Sequence, residues 1–398
     1  MQLYQQSFTH LTYCLNVHPG ETLDAVQAAI CEHALPIRHL VASGTRFGLG
    51  LRLANQASLE LEAPEKLAEL QGVLAANNLY AFTINGFPFG AFHGTRVKER
   101  VYAPDWRTDE RRDYTCRLAR QLAALLPDGL SGSISTVPGS YKSWIHSPED
   151  VGAMVRQLAD TALFLARLRA ETGREIHLGL EPEPDCFLET TGETLVFFRE
   201  QLWPQGRGRV ASLLGCSSAV AEEVLRRHIG VCFDTCHLAL QYEDLGDSLR
   251  QVAGAGIRIS KVQISAALRT ACGSAAAAAL QPFCDSVYLH QVKAQTAGGV
   301  VSRGDLVDAL AYVPEHVGEE WRVHCHVPLY FAGEGALTST ADLLDAAFFR
   351  AVRELRVEHL EIETYTFLVL PESLRRMGVD RSIAEEYRWV LESLNVAP

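Results

Sequence analysis

At 398 residues, with 47% hydrophobic and 21% charged side chains, the chain has the composition of a soluble protein with a large apolar core. Its formal net charge of −12 argues against a nucleic-acid backbone or an anionic membrane as the main partner, although a local basic groove can sit on an acidic protein. Residues 1–6 carry neither a basic region nor an apolar signal core, and no apolar run is long enough to span a bilayer. The ten cysteines form no small-domain framework. Cys232 and Cys236 flank Asp234, and Cys325 lies between His324 and His326, so reduced thiols and a cytoplasmic location are expected.

Residues 11–17 read as a first strand ended by the turn His18-Pro-Gly20, and 21–33 show helical spacing through Leu23, Val26 and Ile30. Residues 47–53 give a second strand, 63–76 a helix opened by Pro64, and 79–85 a third strand. The loop 86–93 is aromatic and glycine-bearing. It suits either a substrate-covering loop, with Phe89 and His93 as contacts, or a plug for the mouth of the fold. The basic stretch 96–100 reads as solvated. Residues 109–126 form a helix, 132–137 a fourth strand, 148–171 a long amphipathic helix, and 176–181 a fifth strand breaking at Pro182-Glu-Pro184.

Helices from Thr191 and over 219–227 lead to a sixth strand, where Ile229, Val231 and Phe233 alternate with Gly230, Cys232 and Asp234. Its small face looks into something crowded. Asp234 suits either a divalent metal site shared with His237 or the N-cap of the next helix. Residues 245–255 read as a helix, 257–263 as the seventh strand, 357–363 as the eighth, and 382–394 as a closing helix. This alternation predicts a single (β/α)8 TIM barrel over residues 1–398. Residues 271–354 are too long for one crossover and read as an insertion, with strands at 286–292 and 321–327 and a short helix at 275–279.

Strand five puts His177, Gly179 and Glu181 on one face, strand six Gly230, Cys232 and Asp234, and strand eight His359, Glu361 and Glu363; strand seven ends at Gln263. Four strands thus end in polar ligands, three of them acidic, at the end of the barrel where chemistry is built. Crowded buried carboxylates repel unless a cation or shared protons neutralise them, and a divalent metal is the simplest such partner. His324 and His326 share a strand face and suit either added metal ligands or a hydrogen-bonded pair. Lys261 and Lys293 suit acid–base or phosphate-holding roles, or structural ones.

The Glu181-Pro pair, Asp234-x-x-His237 and the carboxylate ending the last strand resemble the xylose isomerase-like superfamily of sugar isomerases and epimerases. The resemblance implies one divalent metal, among Mn²⁺, Mg²⁺, Zn²⁺ and Co²⁺, held by Glu181, Asp234, Gln263 and Glu363. It also implies substrate contacts from His237 and Arg269, and proton exchange at a substrate carbon by Glu181 and Glu363. Family enzymes usually carry histidine where this chain has Gln263, whose amide oxygen suits Mg²⁺ or Mn²⁺ better than Zn²⁺. His324 and His326 are candidates to supply the missing imidazole. Leu11-Thr-Tyr-Cys14, His18-Pro-Gly20, the length and His324-Cys-His-Val-Pro328 resemble the EboE-type metabolite-traffic proteins. That likeness implies a cytosolic barrel encoded beside proteins that handle or export a small metabolite. Three functions are weighed: a metal-dependent isomerase or epimerase, a non-catalytic metabolite carrier, and an abasic-site endonuclease on the same fold, the last disfavoured by acidic charge.

Overall fold

The computed structural model describes residues 1–3, 9–42, 44–94 and 96–395, so part of the N-terminal hexapeptide considered above lies outside the described residues. Eight parallel strands form its centre: β1 His10–Tyr13, β2 Phe47–Arg52, β3 Leu79–Asn85, β4 Gly132–Thr136, β5 Ile176–Leu180, β6 Ile229–Asp234, β7 Arg258–Ile264 and the last, His359–Ile362. They pair in chain order, with the last strand between β7 and β1, and a parallel bridge from Cys14 to Gly50 closes the ring. The fold is a (β/α)8 barrel. Ile176, Leu178 and Leu180 on β5 pack outward and are fully buried, while the alternate residues fill the interior. The longest helix, Pro148–Thr172, is opened by a Ser147/Asp150 capping box and stopped by Gly173 at φ 71°.

The interior is crowded where small residues were read. A Cβ on Gly230 would lie 2.2 Å from the Arg258 carbonyl oxygen, and one on Gly50 would lie 2.1 Å from a Glu361 carboxylate oxygen. Below the mouth, Lys261 and Glu361 form a fully buried ion pair, which makes Lys261 a structural cation. None of the ten cysteines is in a disulfide. Among the described residues, no helix is long and apolar enough to cross a membrane.

Between β7 and the last barrel strand the chain builds a second sheet. Its strands are β8 Ala266–Ala271, β9 Gln291–Thr296, β10 Gly299–Asp305, β11 Glu320–Val327, β12 Gly333–Glu334 and β13 Leu337–Ser339, in the order β10-β9-β11-β8-β13-β12. The last barrel strand is then β14. The long insertion is therefore present, but it leaves the barrel at residue 266, before residue 271, because the alanine-rich β8 continues straight from β7. The helix Ala346–Glu354 packs against Leu245–Gly254 and belongs to the barrel's outer ring. The strand expected at 286–292 starts only at Gln291, because the Asp285 carboxylate accepts the Val287 and Tyr288 amides at 2.6 and 2.9 Å and folds that apolar run into a turn.

Candidate metal centre

Glu181 follows β5, Asp234 ends β6 and Glu363 follows β14. One oxygen from each lies within 4.8 Å of the other two. Glu181 Oε2, Asp234 Oδ2 and Glu363 Oε2 are all buried with no hydrogen-bond partner. Asp234 Oδ1 caps the following helix by accepting His237 N at 3.1 Å and also accepts Ser265 Oγ at 2.8 Å, while Oδ2 has no such partner. Glu363 is oriented in the same way, since Oε1 accepts Asn16 Nδ2 at 2.7 Å and Asn85 Nδ2 at 3.1 Å. Burial, then the neighbouring carboxylates, push Glu181 and Glu363 well above the usual glutamate range. Burial works against the Asp234 charge as well, but the His237 and His326 imidazoles, with the Ser265 hydroxyl, outweigh it, so its carboxyl lies low.

Three imidazoles complete the surroundings, and each is anchored through Nδ1. His237 donates to the Pro182 carbonyl at 2.9 Å, His326 to the Glu363 carbonyl at 2.8 Å, and His324 to Gln291 Oε1 at 2.7 Å. With the proton fixed on Nδ1, each Nε2 carries a bare lone pair, the arrangement by which outer partners orient metal-binding histidines. Nε2 of both His324 and His326 is buried without a partner. Burial keeps all three rings below the ordinary histidine pKa, with His326 down to about 4. The insertion therefore folds over the C-terminal mouth and brings His326 beside Asp234, while His324 groups with Glu183 and His237. His326 groups with Asp234 and His237, whereas Glu181 and Glu363 group with Asp234 alone. Asp234 joins an oxygen-rich position to a nitrogen-rich one.

Other expected residues are placed differently. Gln263 Oε1 accepts the Cys232 thiol at 2.8 Å and its Nε2 is buried without a partner, so an amide oxygen would face outward from Cys232 only after the amide turns over. Arg269 points along the insertion sheet to Asp342 Oδ2 at 2.8 Å, away from the cavity lining. This corrects its expected substrate contact: β8 carries it past the mouth. Phe89 packs on Tyr114 at 5.0 Å between centroids, and His93 bonds the Tyr288 hydroxyl and the His18 carbonyl, each at 2.9 Å. Neither lines the cavity, whereas Phe87, Pro88 and Phe92 of the same loop do. Lys293 is held by Asp185 and Glu189 and has a structural role.

The cavity over Glu181, His237, His324 and Glu363 measures about 50 Å³ and is walled by Phe87, Phe92, Tyr102, Tyr288 and Tyr365. Glu183 also lines it, accepts the Tyr102 hydroxyl at 2.9 Å, and is pushed up to about 8 by burial. Two loops meet above: the Val97 and Lys98 amides donate to the Val287 carbonyl at 2.8 and 3.0 Å, and Lys98 pairs with Asp305. Asn16, Asn85 and Ser265 were missed from the sequence. Their only signal was a polar residue at the C-terminal end of an apolar strand or immediately beyond it.

Neither a family model nor a curated protein matches the chain. Solved structures do. The IolI protein with a binding zinc atom aligns at TM-score 0.49 and 14% identity, over 97% of this chain and 98% of that one. A xylose isomerase domain protein from Alicyclobacillus acidocaldarius subsp. acidocaldarius aligns at 0.48 and 13%, over 97% and 98%. A D-tagatose 3-epimerase-like protein aligns at 0.47 and 12%, over 96% and 98%. The barrel assignment rests on the strand order itself.

The donor set fits a divalent cation. Unpartnered buried oxygens of Glu181, Asp234 and Glu363 lie together, and Asp234 groups in turn with the imidazoles of His237 and His326.

Proposed function

We propose that the chain is a metal-dependent isomerase or epimerase of the xylose isomerase-like kind, acting on a small polyhydroxylated or carbonyl metabolite. The supporting observation is the trio of unpartnered buried oxygens on Glu181, Asp234 and Glu363. These residues would hold the ion, with His326 offering nitrogen beside Asp234 and Gln263, once its amide turned over, an oxygen. The ion supplies Lewis-acid polarisation of substrate oxygens. Glu181 and Glu363 then exchange the carbon-bound proton: one carboxylate removes it, an enediolate of the substrate forms, and the other returns a proton. Asn16 and Asn85 hold Glu363 Oε1 and so fix the direction in which its carboxylate meets ion and substrate. His237, fixed on Pro182, contacts a substrate oxygen through Nε2.

A second reading, a carrier that binds the metabolite without turnover, is favoured by Gln263 and by the cavity closed under two bonded loops. Either reading accommodates a cytoplasmic place among co-encoded proteins that handle or export the metabolite, in line with the EboE-type motifs. Ligand released from purified protein, identified by mass spectrometry, is the substrate for the deciding test. Incubated in heavy water with metal-loaded protein, it takes up carbon-bound deuterium if the chain is the enzyme. Uptake disappears in both Glu181→Gln and Glu363→Gln. Binding without uptake in the wild type leaves the carrier.

A further inference from the structure

We infer that the cavity is built for a hydroxyketone with a flat apolar body, of the aryl or alicyclic class, and not for a free sugar. This rests on the reading of Glu181, Asp234 and Glu363 as the cation-holding end, and it narrows what the other end would take. The loops that cover the carboxylates bring carbon to the cavity. Phe87, Pro88 and Phe92 come from the loop after β3, and Tyr288 and Leu289 from the turn before β9. Phe92 lies 5.1 Å from Tyr288 and 5.3 Å from Tyr365 between ring centroids, and those two lie 5.3 Å apart.

Hydrogen bonding sets the ligand's polarity. The side-chain donors around the cavity are already engaged. Asn16 and Asn85 give their amide nitrogens to Glu363 Oε1 at 2.7 and 3.1 Å, and Tyr102 gives its hydroxyl to Glu183 at 2.9 Å. The Tyr288 hydroxyl meets His93 Nδ1 at 2.9 Å, and Lys98 meets Asp305 at 2.5 Å. Of these lining groups, the Tyr365 hydroxyl is the one without a partner among the described residues. Besides the carboxylate oxygens, the buried atoms left over are acceptors, Asn16 Oδ1 and His324 Nε2.

A free sugar carries an oxygen on almost every carbon. Those reaching among the rings would lose water and gain no partner, which opposes binding for each one. A hydroxyketone has its two oxygens at one end, and Asn16 Oδ1 or His324 Nε2 accepts its hydroxyl hydrogen. The rest of such a molecule meets aromatic faces, the usual division of a small-molecule site into an apolar wall and a few placed polar groups. Phe92 and Tyr288 sit on the two loops joined where Val97 and Lys98 meet the Val287 carbonyl. Loosening that junction parts these two rings and opens a slot between them for a flat body.

The probes are 2-hydroxyacetophenone, dihydroxyacetone, which keeps the hydroxyketone without a ring, and D-fructose. Calorimetric titration of the Mn²⁺-loaded full chain should show 2-hydroxyacetophenone binding about tenfold or more tightly than dihydroxyacetone, since one ring leaves water. D-fructose should bind no more tightly than dihydroxyacetone. In Phe92→Ala the preference for the ring should shrink severalfold, and in Tyr288→Phe, which keeps the ring, it should persist. A ratio near one in the wild type, D-fructose bound ahead of the aryl compound, or no binding of the aryl compound would overturn the inference. An unchanged ratio in Phe92→Ala would overturn it as well. If the carboxylates hold no ion, removing Mn²⁺ leaves every affinity as it was while the ratio stands, and no turnover is needed to read it. The two readings therefore fail separately.

Discussion

Nδ1 of His326 donates to the backbone carbonyl of Glu363 at 2.8 Å. A strand of the insertion is thereby tied to the end of the last barrel strand, and the imidazole is oriented by the same residue whose carboxylate faces the cluster. The insertion is thus part of the floor of the site as well as its cover.

His326→Ala should therefore weaken divalent-metal affinity by about tenfold or more, since it removes a nitrogen grouped with Asp234 and His237. Competition against a chromophoric chelator measures this directly. A His324→Ala, His326→Ala double variant with wild-type affinity would remove the imidazoles from the site.

Metal affinity should rise with pH. Burial and mutual repulsion hold Glu181 and Glu363 well above the usual glutamate range, so without an ion they carry protons under mildly acidic conditions. Each must release its proton to bind a cation, and binding therefore tightens as pH climbs towards those raised values. Calorimetric titrations in buffers of differing ionisation enthalpy should show protons released on metal binding. Affinity that falls as pH rises would contradict the protonated, ion-free cluster.

Glu386→Gln should stabilise the fold above neutral pH. Burial raises this carboxyl to about 7, although its Oε1 accepts Thr364 Oγ1 at 2.6 Å and Leu329 N at 3.2 Å. In the unfolded chain the group titrates near 4.5. Between these values the native state binds the proton and the unfolded state does not, so stability falls as pH rises and levels off above about 7. The full effect is of order 3 kcal/mol. Glutamine keeps an acceptor oxygen without the charge. Denaturant unfolding at pH 5 and pH 8 should show a smaller loss for the variant than for the wild type.

The barrel was legible because its strands end sharply: the apolar run 79–85 and the alternation in 229–234 match β3 and β6 residue for residue. Glu181, Asp234 and Glu363 could be seen because a carboxylate closing an apolar strand is costly unless something receives it. Asn16 and Asn85 stayed hidden because an amide at a strand end reads equally well as a turn residue. β8 was missed because alanines carry little strand preference, and β9 was displaced because one side chain, Asp285, outweighed an apolar run. Arg269 matched a spacing, but spacing fixes direction only while the strand keeps its course. Past Ser265 the chain enters a different sheet.

The Val97 and Lys98 amides on the Val287 carbonyl, with His93 on Tyr288, close the cavity from above. The space beneath them measures about 50 Å³, so a ligand much larger than water should require these contacts to loosen as it enters and as it leaves. The opening of the loops then sets the clock. Association should then reach a plateau as ligand concentration rises, set by the opening rate. Release should pass through the same motion, so residence time should depend on loop opening as well as on the strength of contacts at the carboxylates. A bound molecule is kept out of bulk solution for as long as the two loops remain joined.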